Sequence, residues 1–334
     1  MNLTAVKAAA ISVAVALLLP LQASAGALDT VALQRQLDAD ARAWGETVGI
    51  AVRDVSTGNT LSVNGGSTFP MASTFKLFLA IALLDAADQG RIRLDEKITV
   101  KRADLSLFWQ PIEKDLGPDG LTTTLDDLMA RAVSQSDNAA ADILMRRLGG
   151  PGDVEKMLAA KDIRGLRIDR QERDLQTAIL GLRWRDDFVD PKLFDAAVAA
   201  VHEAQRRAAW NAYLRDPRDS AAPAAVASVL AALAQGKLLS PRSTQRLLQL
   251  MRETETGPAR LKAGLPAGWA LAHKTGSGQE WKGRALTTND IGIVTAPDGH
   301  VFTVAVFLPD SAKTETQRDA FIAGIARVLV TAYR

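Results

Sequence analysis

Apolar residues recur at helical spacing from Val31 to Trp44, and the stretch Thr47 to Val55 then takes on the Val- and Ile-rich character of a strand. Ser56-Thr57-Gly58-Asn59 is a turn signal, and Thr60 to Val63 completes a predicted β-hairpin. The pattern returns at the far end of the chain. Ala270 to His273, Asp290 to Ala296 and Val301 to Phe307 have strand character, with Pro297-Asp298-Gly299 as the turn between the last two, and a closing helix is predicted from about Thr314 to Tyr333. Between about 67 and 254 the periodicity is mainly helical. The strand-rich ends are therefore expected to meet in one antiparallel sheet of about five strands flanked by the terminal helices. This is an α+β sandwich in which 26–66 and 255–334 form one lobe and 67–254 an inserted all-helical lobe. A seam between lobes is a natural place for a binding cleft.

One helix stands out. Leu77, Ala80, Ile81 and Leu84 share a face, Phe78 and Leu79 make the segment apolar almost all round, and Gly90 is a plausible stop, so this helix should be buried. Its polar exceptions, Ser73 and Lys76, stand three apart at the N-terminal end, where unpaired backbone N–H groups converge. Ser-x-x-Lys alone also fits a helix cap followed by a surface lysine. An ammonium on so apolar a helix is costly to bury unless it has a task, and a lysine beside a serine lowers the barrier to deprotonating the hydroxyl.

Composition narrows the chemistry. The 334 residues carry a net charge of only +2, and basic and acidic residues are interspersed, which removes the footprint of a nucleic-acid partner. The absence of cysteine excludes disulfides, thiol catalysis and thiolate metal sites. His202, His273 and His300 complete no metal-ligand spacing, so neither a metal nor another cofactor is expected, and His273 fits a packed strand position. No Gly-x-Ser-x-Gly elbow is present. At the N-terminus, Lys7, the apolar run Ala8 to Leu21 and Ala23-Ser24-Ala25 have the form of a secretory signal over residues 1–25. That leader predicts an exported, periplasmic protein beginning near Gly26, with no stable membrane anchor.

Ser73-x-x-Lys76 is followed in order by Ser136-Asp137-Asn138, Glu172-x-x-Leu175 and Lys274-Thr275-Gly276. With the runs Leu166 to Gln171, Leu265-Pro266-Ala267-Gly268-Trp269 and Thr288-Asn289-Asp290-Ile291, the chain resembles the class A serine β-lactamases over essentially its whole mature length. The resemblance implies that Ser73 is acylated by a β-lactam carbonyl with Lys76 beside it, and that Ser136 relays a proton to the leaving nitrogen. It implies that Glu172 activates the hydrolytic water, either Glu172 or Lys76 serving as base for acylation. Backbone N–H groups of Ser73 and Ser277 would form the oxyanion hole. Asn138 would bind the acylamino side chain, and Lys274, Thr275 and Gly276 would border the substrate carboxylate. Arg260 or Arg318 would hold that carboxylate, Arg260 being favoured, and Trp109 would form an aromatic wall. The expected partner is a small-molecule β-lactam bound by a monomer.

Three departures from the family pattern matter. Gln176 replaces the usual Asn near the hydrolytic water, and its extra methylene predicts slower deacylation. Glu172 and Lys274 are about thirty positions further apart than usual, which places an insertion at about 180–214; Phe194, Val198 and Val201 suggest an amphipathic helix there, as a cap at the site mouth or docked outside it. His273 precedes Lys274 where an acidic residue is more common. Two other readings share the serine and lysine chemistry. One is a D-alanyl-D-alanine carboxypeptidase or transpeptidase, which is not expected to carry the loop glutamate, and the other is a β-lactam-binding protein that stays acylated.

Overall fold

The computed structural model describes residues 26–334; the leader read at 1–25 lies outside them. The main strands are β1 (Gly49–Asp54) and β2 (Thr60–Val63) from the front of the chain. Two short pairs follow inside 67–254: β3 (Phe69–Pro70) with β6 (Ser220–Ala221), and β4 (Lys97–Val100) with β5 (Leu121–Thr124). That stretch is thus not the all-helical lobe that periodicity predicts; strands of two to four residues are too short to show a period. The chain ends with β7 (Ala270–Ser277), β8 (Glu280–Trp281), β9 (Arg284–Thr295) and β10 (Val301–Ser311). The large sheet is antiparallel in the order β2-β1-β10-β9-β7, with β8 added to the start of β9.

Both faces of this sheet are covered, which explains the nearly unbroken apolar runs in β1, β9 and β10. Ile50, Val52, Val304 and Val306 face α1 (Thr30–Trp44) and the C-terminal helix, where they pack on Leu33, Leu37, Ile322 and Leu329. Ala305, Phe307, Ile291 and Ile293 face the helical side and join its core. Asp29 caps α1 by accepting from the Ala32 N–H at 2.8 Å, the local signal that fixes where the helix begins.

Strand β7 runs on through Lys274, Thr275 and Gly276, and β9 begins earlier than hydropathy predicts, because Thr288, Asn289 and Asp290 are buried polar residues paired in register with β7. At the centre of the helical side is α2 (Phe75–Asp88), in which every residue from Phe75 to Ala86 is buried. Around it lie α3 (Leu125–Ala130), α4 (Asn138–Arg147), α5 (Pro151–Ala160) and α6 (Glu172–Ile179).

The segment expected as one amphipathic helix is two, α7 (Pro191–Ala200) and α8 (Glu203–Arg215), separated at Val201-His202. At about 100° per residue, Phe194 and Trp210 would lie on opposite sides of one straight helix. The break lets Phe194 pack with Leu107, Leu180 and Phe188 while Trp210 and Tyr213 pack on Leu175, Ile179 and Leu286. The helical side closes with α9 (Pro223–Ala234) and α10 (Pro241–Arg252), and α11 (Glu315–Ala332) returns to the sheet, capped by a reciprocal Thr314–Gln317 box.

Candidate active site

Ser73 lies in a 3-10 turn, Ala72–Thr74, that leads into α2. Ala72 has φ +43°, a conformation that L residues adopt only when their surroundings enforce it. Asn289 supplies the enforcement from β9: its side-chain amide donates to the carbonyls of Pro70 and Met71, both at 2.9 Å. Strand β7 presses on the same turn, and a Cβ at Gly276 would lie 2.7 Å from the Met71 carbonyl oxygen, so only glycine fits there.

At the start of α2, Lys76 is sealed from solvent. Its Nζ is 3.2 Å from Ser73 Oγ, 2.8 Å from the Ser136 carbonyl and 2.5 Å from Asn138 Oδ1. It also stands 3.0 Å from Glu172 Oε1, in a pair of which neither member reaches solvent. The two carbonyl-type oxygens can only accept, so they fix two of the three ammonium hydrogens. The third direction is shared between the Ser73 hydroxyl and Glu172. Oε1 therefore has a neighbouring cation yet no aligned hydrogen-bond donor from the protein, whereas Oε2 accepts from Gln176 Nε2 at 2.8 Å.

The Ser136-Asp137-Asn138 segment makes a left-handed turn at Ser136, φ +64°. Asp137 holds that turn by accepting from Ala140 N at 2.9 Å and from Ile112 N at 2.6 Å. Ser136 Oγ in turn accepts from Lys274 Nζ at 2.9 Å. Burial, and then the positive charge of Lys76, hold Lys274 well below the ordinary lysine range.

Asp142, which sequence reasoning missed, anchors Glu172. Its carboxylate accepts from the backbone N–H of Glu172 at 2.6 Å and of Arg173 at 3.1 Å, capping α6, and from Ser106 Oγ at 2.8 Å. Full burial, followed by the Glu172 charge, pushes Asp142 up to about 6 against the pull of Ser106 and Arg173. A signal was present in the sequence: Asp142 follows Asn138 by one turn on a helix whose intervening residues are all alanine. The base of the loop is pinned by Arg170 Nε on Asp219 Oδ2 at 2.5 Å.

These groups floor a cavity of about 890 Å³. Ser73, Ser136, Asn138, Gln176, Thr275 and Ser277 line it, and Lys76, Glu172, Lys274 and Gly276 lie beneath, in or beside the buried network. Trp109 is on the rim, 59% exposed, with its indole N–H on the Gln135 carbonyl at 2.7 Å. Gln176 bonds both Glu172 and Gln279, the latter donating to Gln176 Oε1 at 2.9 Å. Arg260 is in the cavity wall, fixed by Asp319 at 2.8 Å and donating to Ser277 Oγ at 2.8 Å. Arg318 is not. Its guanidinium is taken up by the Lys313 carbonyl and by Glu280, each at 2.5 Å. His273 is packed in the sheet with Nδ1 on Asp290 Oδ1 at 2.9 Å. Among the described residues no group of three or more His, Asp or Glu is arranged to hold a metal ion, and no helix is long and apolar enough to cross a membrane.

Comparison with known proteins agrees with this architecture. A family model described as the β-lactamase enzyme family matches residues 32–333. The extended-spectrum β-lactamase PER-1 of Pseudomonas aeruginosa is 33% identical over 289 residues, 86% of this chain and 82% of that protein. The β-lactamase VEB-1 of the same organism is 30% identical over 284 residues, 84% and 83% of the two chains. Among solved structures, a β-lactamase from Chitinophaga pinensis superimposes with a TM-score of 0.73 at 33% identity, covering 90% of this chain and 98% of that one. The last common ancestor of Gram-negative bacteria class A β-lactamase gives 0.72 at 36% identity, covering 90% and 99%. With its matched span, its α+β fold and the order of its motifs, the chain belongs to the β-lactamase enzyme family, in class A.

Proposed function

We propose that the protein hydrolyses the β-lactam ring of penicillins, cephalosporins or both through an acyl-enzyme on Ser73. The observation that carries this reading is the shared ammonium: Lys76 Nζ lies 3.2 Å from Ser73 Oγ and 3.0 Å from the buried Glu172 Oε1. Passing the third Lys76 proton to Glu172 leaves an amine lone pair facing the Ser73 hydroxyl, so the two candidate bases act as one relay during acylation. Ser73 Oγ gives its proton to that amine and attacks the lactam carbonyl, the ring nitrogen leaves with this proton passed on through Ser136, which Lys274 orients, and Glu172 returns its proton to Lys76. Backbone N–H groups of Ser73 and Ser277 receive the charge on the carbonyl oxygen. Arg260, Lys274 and Thr275 hold the substrate carboxylate, Gly276 lets β7 lie close to the nucleophile, Asn138 takes the acylamino group and Trp109 shields the rim.

An ester on serine is stable until a positioned base delivers water. Glu172, fixed by Asp142 through its own backbone and by Gln176 through Oε2, is that base once its carboxylate is restored, and Oε1 takes the proton of the water. The chemistry calls for no metal or cofactor. Continuous turnover of a chromogenic cephalosporin is expected, with Glu172→Ala leaving an adduct on Ser73 that persists by intact mass. A burst that stops in the parent protein would make it a β-lactam-binding protein, and activity only on D-alanyl-D-alanine peptides would make it a cell-wall enzyme. We further infer export with removal of residues 1–25, supported by the leader pattern; N-terminal sequencing of the periplasmic protein should begin at Gly26.

A further inference from the structure

The inserted segment lines the cavity rather than merely covering the body of the protein. From α7, Phe194, Asp195 and Val198 form part of the wall, with Leu180 beyond the end of α6 beside them. Phe194 is locked in place, edge-on to Phe188 at 5.6 Å and to Phe108 at 5.8 Å. From α8, Arg206 completes this side. Its guanidinium rests on the Trp281 ring at 5.5 Å. Two other cations crowd the same ring, Arg207 and Lys282, and both are paired with the one carboxylate of Glu203, at 2.6 and 2.5 Å. Arg206 has no carboxylate within 4.0 Å among the described residues. Glu280, also in the wall, is already engaged by Arg318 at 2.5 Å.

We propose that α7 and α8 form a subsite for the acyl side chain of the substrate, selecting β-lactams whose side chain joins a flat apolar ring to a second carboxylate. The inference rests on the β-lactam reading of the site, and it names a substrate class within it. Asn138 and Gln176 on one side and Ser277 to Glu280 on the other direct the acylamino group toward the insertion, away from Arg260, which takes the carboxylate of the bicyclic core. Phe194, Val198 and Leu180 offer the ring an apolar face. Arg206 meets the second carboxylate as a half-buried cation with no internal competitor, and Trp281 holds its plane so that little rotamer freedom is lost on binding. Asp195 stands in the same wall as the opposing charge, and it would favour a side-chain ammonium instead.

The test compares benzylpenicillin with its α-carboxy and α-amino derivatives, three substrates that share one ring. kcat/KM reports only the steps through acylation, and the rate of adduct formation on Ser73 by rapid-quench mass spectrometry reports the same steps if no turnover follows. In the parent protein the α-carboxy derivative should be preferred to the α-amino one. Arg206→Gln should lower the α-carboxy to benzylpenicillin ratio about tenfold, the size expected of one charged hydrogen bond, with Arg206→Lys recovering part of it. An unchanged ratio in Arg206→Gln, or a parent preference for the α-amino derivative, overturns the subsite. A protein that acylates with the expected ratios but never turns over would overturn the hydrolase reading and uphold the subsite.

Discussion

The Lys76 ammonium lies 3.0 Å from the Glu172 carboxylate, and the two side chains are 0% and 1% exposed. Removing one member leaves the other as an uncompensated buried charge, which costs about 3–5 kcal/mol. Lys76→Met is expected to lose stability on that scale in urea unfolding, and Lys76→Met with Glu172→Gln should recover most of it. Equal stabilities for the single and double variants would show that the pair is not coupled in the folded protein.

Asp142 predicts a pH dependence with a definite sign. Its carboxyl is raised to about 6 in the folded protein from an ordinary 3.8, so the native state binds the proton more tightly than the unfolded state. Its contribution to stability is most favourable below about pH 4 and is lost as pH rises through 6. Asp142→Asn removes this slope. The difference in unfolding free energy, variant minus parent, should grow between pH 4 and 6 and level off above; a flat difference over that window would contradict the assignment.

Arg260 and Arg318 separate cleanly in the fold. Arg260→Ala is expected to raise KM for penicillins at least tenfold, because a cation in the cavity wall is lost. Asp319 is left unpaired as well, so thermal stability should fall in the same variant. Arg318→Ala should change KM less than twofold, since that side chain is not part of the cavity lining. The reverse order of KM effects would reassign the substrate carboxylate.

Gln176→Asn addresses the departure from the family motif. The longer amide spans from Glu172 Oε2 to Gln279, and shortening it by one methylene draws its head group back from both contacts, restoring the reach of the usual Asn. Decay of a trapped acyl-enzyme, followed by mass, is expected to quicken severalfold. An unchanged decay rate would mean that the extra methylene has no bearing on deacylation.

Much of the architecture was legible before folding. The terminal helices, β1, β2 and β10 carry strong apolar periodicity, because each buries one face or both in the sheet, and that burial is written locally. The start of α2 was legible for the same reason, since two polar residues interrupt an otherwise apolar helix. The helical side was harder. Its two small sheets are too short to have a period, and the extensions of β7 and β9 are polar sequences stabilised by pairing with each other. The break at Val201-His202 was invisible because neither glycine nor proline marks it; it follows from where Phe194 and Trp210 must face.

The chain's own order of residues determined which groups are available: a serine and lysine one turn apart, a Ser-Asp-Asn, a loop glutamate and a Lys-Thr-Gly strand. Only the tertiary structure decided how they meet. Asn289 and Gly276 shape the turn that presents Ser73, Asp142 sets the start of the helix that carries Glu172, and Arg260 lines the cavity while Arg318 does not. Each of these depends on partners tens to hundreds of positions away, and distance along the chain carries no trace of such contacts until the backbone brings them within hydrogen-bonding reach.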